Sequence, residues 1–181
     1  MTESQATASQ RIADALARYE GPLLRYARSL LGDLERAQDV VQDTFLQLCK
    51  QDAARVDGHL PQWLFTVCRN RALDVQRKDR RLQSRDPSAF EDQPSPEPTP
   101  ARRLEGEDAL REVREAFATL PASHQEVLRL KLQEHLSYQQ ISEVTGLTVS
   151  HVGVLLHNGL KALRARCAPQ REGAVSLRRA R

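Results

Sequence analysis

Between Ser137 and Ala162 the chain reads SYQQISEVTGLTVSHVGVLLHNGLKA, a stretch that admits two short helices and one tight turn between them. Ser137 and Gln140, three residues apart, have the pattern of a capping box, and Leu136 and Ile141 stand at the spacing of a hydrophobic staple. Gly146 can take the left-handed backbone that ends a helix. Thr148 then caps the next helix, and Leu147 with Val152 repeats the staple spacing. Apolar Ile141, Val144, Leu147, Val152, Leu155, Leu156 and Leu163 set one face of the pair against an earlier helix, leaving the face that opens at Ser150 and His151 for a DNA major groove. This is a helix-turn-helix pattern, although an ordinary helical hairpin with no DNA role has the same spacing.

The rest of the chain is also helical in period. Ile12, Leu16, Tyr19, Leu23, Ala27 and Leu30 give residues 11–31 one apolar face after a small, polar N-terminal stretch expected to fray, with Pro22 placed to kink or split the helix. Gly32 and Asp33 form a break and a cap. A second helix follows, with Ala37, Val40, Val41, Thr44, Phe45 and Leu48 inward and Asp39, Gln42, Asp43 and Gln47 outward. By itself such an outer face is commonly just solvated. After a polar loop with Gly58, a long third helix opens at Pro61. Leu64, Val67, Cys68, Ala72 and Val75 form its apolar stripe, and Arg69, Asn70, Arg71, Asp74, Arg77 and Lys78 its opposite surface. A basic stripe beside Trp63 suits single-stranded DNA; the same residues also fit a core tryptophan beside a solvated face.

Residues 86–101 hold five of the nine prolines and several acids, so this segment is expected to be a linker. Beyond it Ala109, Val113, Ala116, Phe117 and Leu120 share a helical face, and Ser123 with Glu126 reads as the cap of another helix carrying Val127, Leu128, Leu130 and Leu132. The arginine-rich tail with Pro169 and Gly173 reads as a loose basic arm. The fold class is therefore all-α, with two small helical domains joined by a flexible Pro-rich linker and the helix-turn-helix in the second.

Composition narrows the function classes. The net charge of +3 permits a polyanionic partner without requiring one, so a nucleic-acid surface has to come from local clusters such as Arg77 to Arg81. Cys49, Cys68 and Cys167 lack paired spacing and read as buried thiols, not as a disulfide or zinc framework. His124, His135, His151 and His157 have neither metal spacing nor an evident nucleophile partner and are expected at the surface or facing a groove. No cofactor, metal or enzymatic activity is expected. The chain has no membrane-length apolar run, and its first ten residues lack signal-peptide order, so no membrane insertion and a cytoplasmic location are expected.

Taken together, LLGDLERAQDVVQDTFLQL, LPQWLFTVCRNRALDVQRKDRR and LPASHQEVLRLKLQEHLSYQQISEVTGL resemble the conserved regions of bacterial extracytoplasmic-function (ECF) sigma factors of the sigma-70 family, over about Leu16 to Arg166. The resemblance implies a region 2-like domain at 1–85, a linker at 86–106, a region 4-like domain at 107–168 and a disordered basic tail at 169–181. It implies core RNA polymerase and promoter DNA as partners, with an anti-sigma factor as a further one. Asp39, Gln42, Asp43 and Phe45 would dock on polymerase. Trp63, Asn70, Asp74, Arg77 and Lys78 would meet the minus-ten element and help open it, and Thr148, Ser150, His151, His157, Asn158 and Lys161 the minus-thirty-five element. Acids of the linker (Asp86, Glu91, Asp92 and Glu97) would mimic a nucleic-acid backbone near the polymerase cleft. The chain departs from the family pattern at Gly153, Leu155, Asn158 and Leu160, where basic residues are usual, which removes phosphate contacts. A stand-alone helix-turn-helix regulator and a degenerate sigma homologue acting through protein contacts are the alternative functions.

Overall fold

The computed structural model describes residues 3–51, 56, 58–83 and 105–167, with side chains described from Ser9 in the first half and from Leu110 in the second. The expected linker at 86–101 and the basic tail from 169 lie outside the described residues, as do most residues of the loop before Gly58. The described residues form seven helices and no strand: α1 (Glu3–Leu31), α2 (Leu34–Lys50), α3 (Leu60–Gln83), α4 (Glu105–Ala118), α5 (Ala122–Leu132), α6 (Tyr138–Thr145) and α7 (Val149–Cys167).

In the first half, α1 and α2 form an antiparallel pair closed by α3. α1 begins at Glu3, ahead of its apolar period, and continues through Pro22 instead of splitting there. Its end is fixed by Gly32, whose φ of 75° needs a residue without a Cβ. Asp33 then caps α2, its carboxylate accepting the Arg36 N–H at 2.8 Å. All six expected inward residues of α2 are buried. On α3, Leu64, Cys68 and Ala72 are fully buried together with Phe65, which the apolar stripe omitted. Two polar ties hold α3 in register: Gln76 donates to the Leu30 carbonyl at 2.6 Å, and Arg36 pairs with Asp79.

In the second half, α5 and α7 pack together, with α6 and α4 against them. The turn chemistry of α6 follows the sequence reading. Ser137 and Gln140 make both bonds of the capping box, and Gly146 ends the helix at φ 74°. The Thr148 hydroxyl accepts the His151 N–H at 3.2 Å, opening α7. α5 differs. Its N-cap is Pro121, no side chain caps it, and Ser123 lies inside the helix. Gln125 instead reaches back to the Leu120 and Ala118 carbonyls at 2.8 and 3.2 Å, satisfying acceptors left open at the end of α4. Glu126 is thereby released from capping.

The two halves are in contact. Buried apolar residues of both belong to one cluster, and α3 packs against α6. Polar bonds from α1 and α3 to α5 and to the α5–α6 turn complete the junction.

Candidate nucleic-acid interface

The residues expected to meet the minus-thirty-five element come together on one surface. Thr148, Ser150, His151, His157, Asn158 and Lys161 are all exposed, on the side of α7 opposite buried Val152, Leu155 and Leu156. Val154 is exposed among them. The scaffold beneath is tightly set. A Cβ added to Gly159 would lie 2.8 Å from Leu128 Cδ1 and 3.6 Å from His124 Cβ, so glycine there lets α7 approach α5. Gly153 has no such role, since a Cβ there would meet Tyr138 at an ordinary 3.7 Å. His124 is half-buried with an unpaired buried Nδ1, unlike the expected surface histidine.

On α3, Asn70, Asp74, Arg77 and Lys78 are exposed and follow one another at helical spacing, with Arg77 bonded to Asp74 at 3.0 Å. Trp63 does not join them as an exposed stacking platform. It is half-buried and packs against the core, with its backbone N–H donating to the His59 carbonyl at 3.1 Å. Leu64 and Phe65, immediately after it, are buried.

The third group divides. Asp39, Gln42 and Asp43 are exposed on α2, whereas Phe45 is buried and holds α2 in the core. Phe45 and Gln42 both line an open groove of about 500 Å³ between α1 and α2, which also includes Leu16, Leu24, Val41 and Leu46. Phe45 thus belongs to the wall of a groove and not to the polar outer face. Of the cysteines, only Cys68 is buried as expected; Cys49 is exposed and Cys167 intermediate. Burial pushes the Cys68 thiol up to about 12.

Sequence reasoning missed one constellation. Arg69, counted there with the solvent-facing basic surface of α3, turns to α5. Its Nε donates to Glu126 Oε1 at 2.7 Å and its Nη2 to Oε2 at 3.4 Å. The Tyr26 hydroxyl donates to the same Oε1 at 2.7 Å. Burial first, and then the adjacent Glu126 charge, raise the Tyr26 pKa well above its ordinary value. Burial opposes the Arg69 charge, but the Glu126 carboxylate outweighs it and raises the Arg69 pKa. Nearby, Gln140 completes its capping box through Oε1 and donates through Nε2 to Gln62 of α3 at 3.1 Å. Arg25 of α1 reaches Glu134 at 3.5 Å, and burial raises the pKa of that carboxyl. The sequence signal was ambiguous in kind: SHQE satisfies a capping-box pattern, which already gives Glu126 a local role.

Among the described residues there is no group of three or more His, Cys, Asp or Glu able to hold a metal ion, and no helix long and apolar enough to cross a membrane. Comparison with known proteins assigns both halves. The family model for Sigma-70 region 2 matches residues 15–82, and that for Sigma-70, region 4 matches 110–163. The chain is 34% identical over 147 residues to the ECF RNA polymerase sigma factor SigL of Mycobacterium tuberculosis, covering 78% of this chain and 80% of that one. It is 29% identical over 170 residues to the RNA polymerase sigma factor YlaC of Bacillus subtilis, covering 89% of this chain and 94% of that one. The fold is shared with the sigma factor RpoE of Bartonella quintana, solved in complex with the anti-sigma factor NepR. The TM-score is 0.70 at 23% identity, over 90% of this chain and 99% of that one. An exposed helix-turn-helix face, an exposed polar face on α3 and matches to both sigma regions lead to one assignment: the chain belongs to the ECF group of sigma-70 RNA polymerase sigma factors, which direct core polymerase to promoters.

Proposed function

We propose a division of labour within this sigma factor that follows its exposed faces. The outer face of α2, with Asp39, Gln42 and Asp43, docks on core polymerase, and the adjoining groove walled by Phe45 receives an apolar element of it. Asn70, Asp74, Arg77 and Lys78 on α3 meet the minus-ten element and help hold its strands apart, while the α7 face from Thr148 to Lys161 reads the minus-thirty-five duplex. The work is binding, with no catalytic residue, and takes place in the cytoplasm. An anti-sigma factor is a natural further partner, since a relative of the same fold is bound by one.

The observation that carries this reading is the exposure of three separate polar faces, one on each of three helices within the two matched regions. A stand-alone regulator has no use for the first two. The test combines co-elution with core polymerase and run-off transcription from promoter fragments. Asp39→Lys with Gln42→Lys should abolish co-elution while leaving the helical content unchanged. Normal co-elution of the folded double variant would remove the α2 assignment. Core binding without any run-off product would favour the degenerate homologue acting through protein contacts.

A further inference from the structure

The exposed face of α7 has an apolar residue at its centre. Ser150, Val154, His157 and Lys161 follow one another at steps of four, three and four, so they form one row along the helix, opposite buried Val152, Leu155, Leu156 and Gly159. Every residue of the row is exposed, Val154 at 55%. Val149, the other exposed valine of α7, stands off the row on the side of Gly153, which faces Tyr138 of α6. Asn158, also exposed, lies one turn beyond Val154, on the flank it shares with His151. No arginine precedes Arg164 on α7.

A lone exposed valine needs no partner in water. On a face turned to duplex DNA its position matters, because docking covers it. The major groove shows polar atoms on every base: N7 and O6 of guanine, N7 and the N6 amino group of adenine, the N4 amino group of cytosine and O4 of thymine. Of these four bases only thymine adds an apolar group, its C5 methyl. Pressed against guanine, adenine or cytosine, Val154 would strip water from a polar atom and return no hydrogen bond. Against a thymine methyl it removes apolar surface from water on both sides. One side chain thus favours one base and penalises the others. The absence of arginine acts in the same direction, since arginine is a leading bidentate reader of guanine. Asn158 supplies an amide for the N6 and N7 edge of adenine. Side chains one turn apart on a helix are separated by about 5–6 Å and successive base pairs by about 3.4 Å, so the two readers fall about one to two base pairs apart.

We propose that Val154 is a specificity-determining residue for the minus-thirty-five element: it selects a thymine through the 5-methyl group, and Asn158 selects an adenine about one to two base pairs away. This rests on the duplex-reading role proposed for α7 above. The centre of the element is accordingly A·T and not G·C. Contact with one methyl is worth about fourfold in affinity, and a bidentate amide–adenine pair at least about fivefold.

The test uses the holoenzyme, with the full chain on core polymerase, and promoter fragments randomised across the minus-thirty-five element. Bound fragments should converge on a thymine with an adenine about one to two base pairs away. Deoxyuridine in place of that thymine removes only the methyl and should weaken binding about fourfold. Val154→Ala should bind the thymine and deoxyuridine fragments alike. A valine with a merely structural role would not show this coupling, since any effect of deoxyuridine on the duplex itself is common to both proteins. At the same position 5-methylcytosine should bind the unmodified chain more tightly than cytosine does, and Val154→Ala should not distinguish them. Asn158→Ala should relax the choice of adenine and leave the choice of thymine in place. Selected fragments without a fixed thymine, or a deoxyuridine effect of equal size in Val154→Ala, would overturn the proposal. The two readings fail separately: a holoenzyme that selects a minus-thirty-five sequence yet ignores the thymine methyl sinks only this proposal, and one with no preference anywhere in the element sinks the duplex-reading role of α7.

Discussion

Two glycines in the interior of one helix should respond differently to the same substitution. Replacing an interior helical glycine by alanine adds about 1 kcal/mol of helix propensity at either position. At Gly153 the new Cβ meets Tyr138 Cε2 at 3.7 Å, ordinary van der Waals contact, so Gly153→Ala should keep that increment. At Gly159 the Cβ falls 2.8 Å from Leu128 Cδ1 and 3.4 Å from its Cγ. Leu128 is fully buried, so its side chain cannot swing into solvent, and overpacking of this kind costs about 1–3 kcal/mol. Gly159→Ala should then lie between neutral and about 2 kcal/mol destabilised, leaving the two variants about 1–3 kcal/mol apart. Urea unfolding of the full chain measures the difference directly, and in thermal melts it corresponds to about 2–4 °C for each kcal/mol. Leu128→Ala should abolish the Gly159→Ala penalty by opening the space, a coupling that a double-mutant cycle isolates. Equal stabilisation by both alanines would refute the claim that α7 and α5 depend on a close approach at Gly159.

Other outcomes follow from the same geometry. Ser137→Ala removes one bond of the capping box and should cost about 1 kcal/mol in urea unfolding; no change would mean that α6 is held by its packing alone. Native protein should expose Cys49 and Cys167 to a thiol reagent while Cys68 reacts only on unfolding. Because the folded Cys68 pKa is raised to about 12 from 9.0, its stabilising contribution is whole below pH 9 and is lost as pH rises toward 12. The slope from this group reaches about 1.4 kcal/mol per pH unit, and Tyr26, also raised, adds a loss of the same sign above pH 10. Urea midpoints that stay level from pH 8 to 11 would contradict this. Finally, Gly153→Lys with Asn158→Arg should steepen the salt dependence of duplex binding by about 0.9 in log–log slope for each phosphate newly neutralised; an unchanged slope would place these positions away from DNA.

The local grammar of the chain was legible because its signals are short-range. Gly32–Asp33, the Ser137–Gln140 box, Gly146 and Thr148 each fix a helix end through atoms within four residues, and each is found at its expected end. The inner face of α2 was equally readable, since period alone sorts Ala37, Val40, Val41, Thr44, Phe45 and Leu48. What period cannot sort is a polar residue that turns to another part of the fold. Arg69 lies on the outer side of its own helix and reads as solvent-bound until α5 supplies a carboxylate 57 residues away. Glu126 was hidden by a better local explanation, and Trp63 by the usual difficulty of placing an amphipathic ring at the start of a helix. For the Arg69–Glu126 pair, sequence separation and not chemical novelty marks the boundary between what was read and what was missed.

On the duplex-reading role proposed for α7, burial also changes what that helix has lost. Compared residue by residue with the family pattern, four basic positions are missing, at Gly153, Leu155, Asn158 and Leu160. Leu155 is 7% exposed and Leu160 packs against the core, so neither side chain is placed to reach DNA. A base at either position would have to leave α7 past its own scaffold. Of the four, only Asn158 is exposed, and Gly153 is half-exposed beside Tyr138. The deficit in phosphate contacts is therefore nearer two than four, worth about 1.8 rather than about 3.6 in the slope of log affinity against log salt. A shortfall of two weakens attraction to any duplex without erasing it. It also leaves base discrimination to the polar and apolar groups that remain: Asn158 can pair with an adenine edge and Val154 can contact a thymine methyl, neither of which needs a cation. A recognition surface poor in arginine gives up non-specific grip before it gives up specificity, and for the role proposed here α7 retains exposed Lys161, Arg164 and Arg166 toward its C-terminal end.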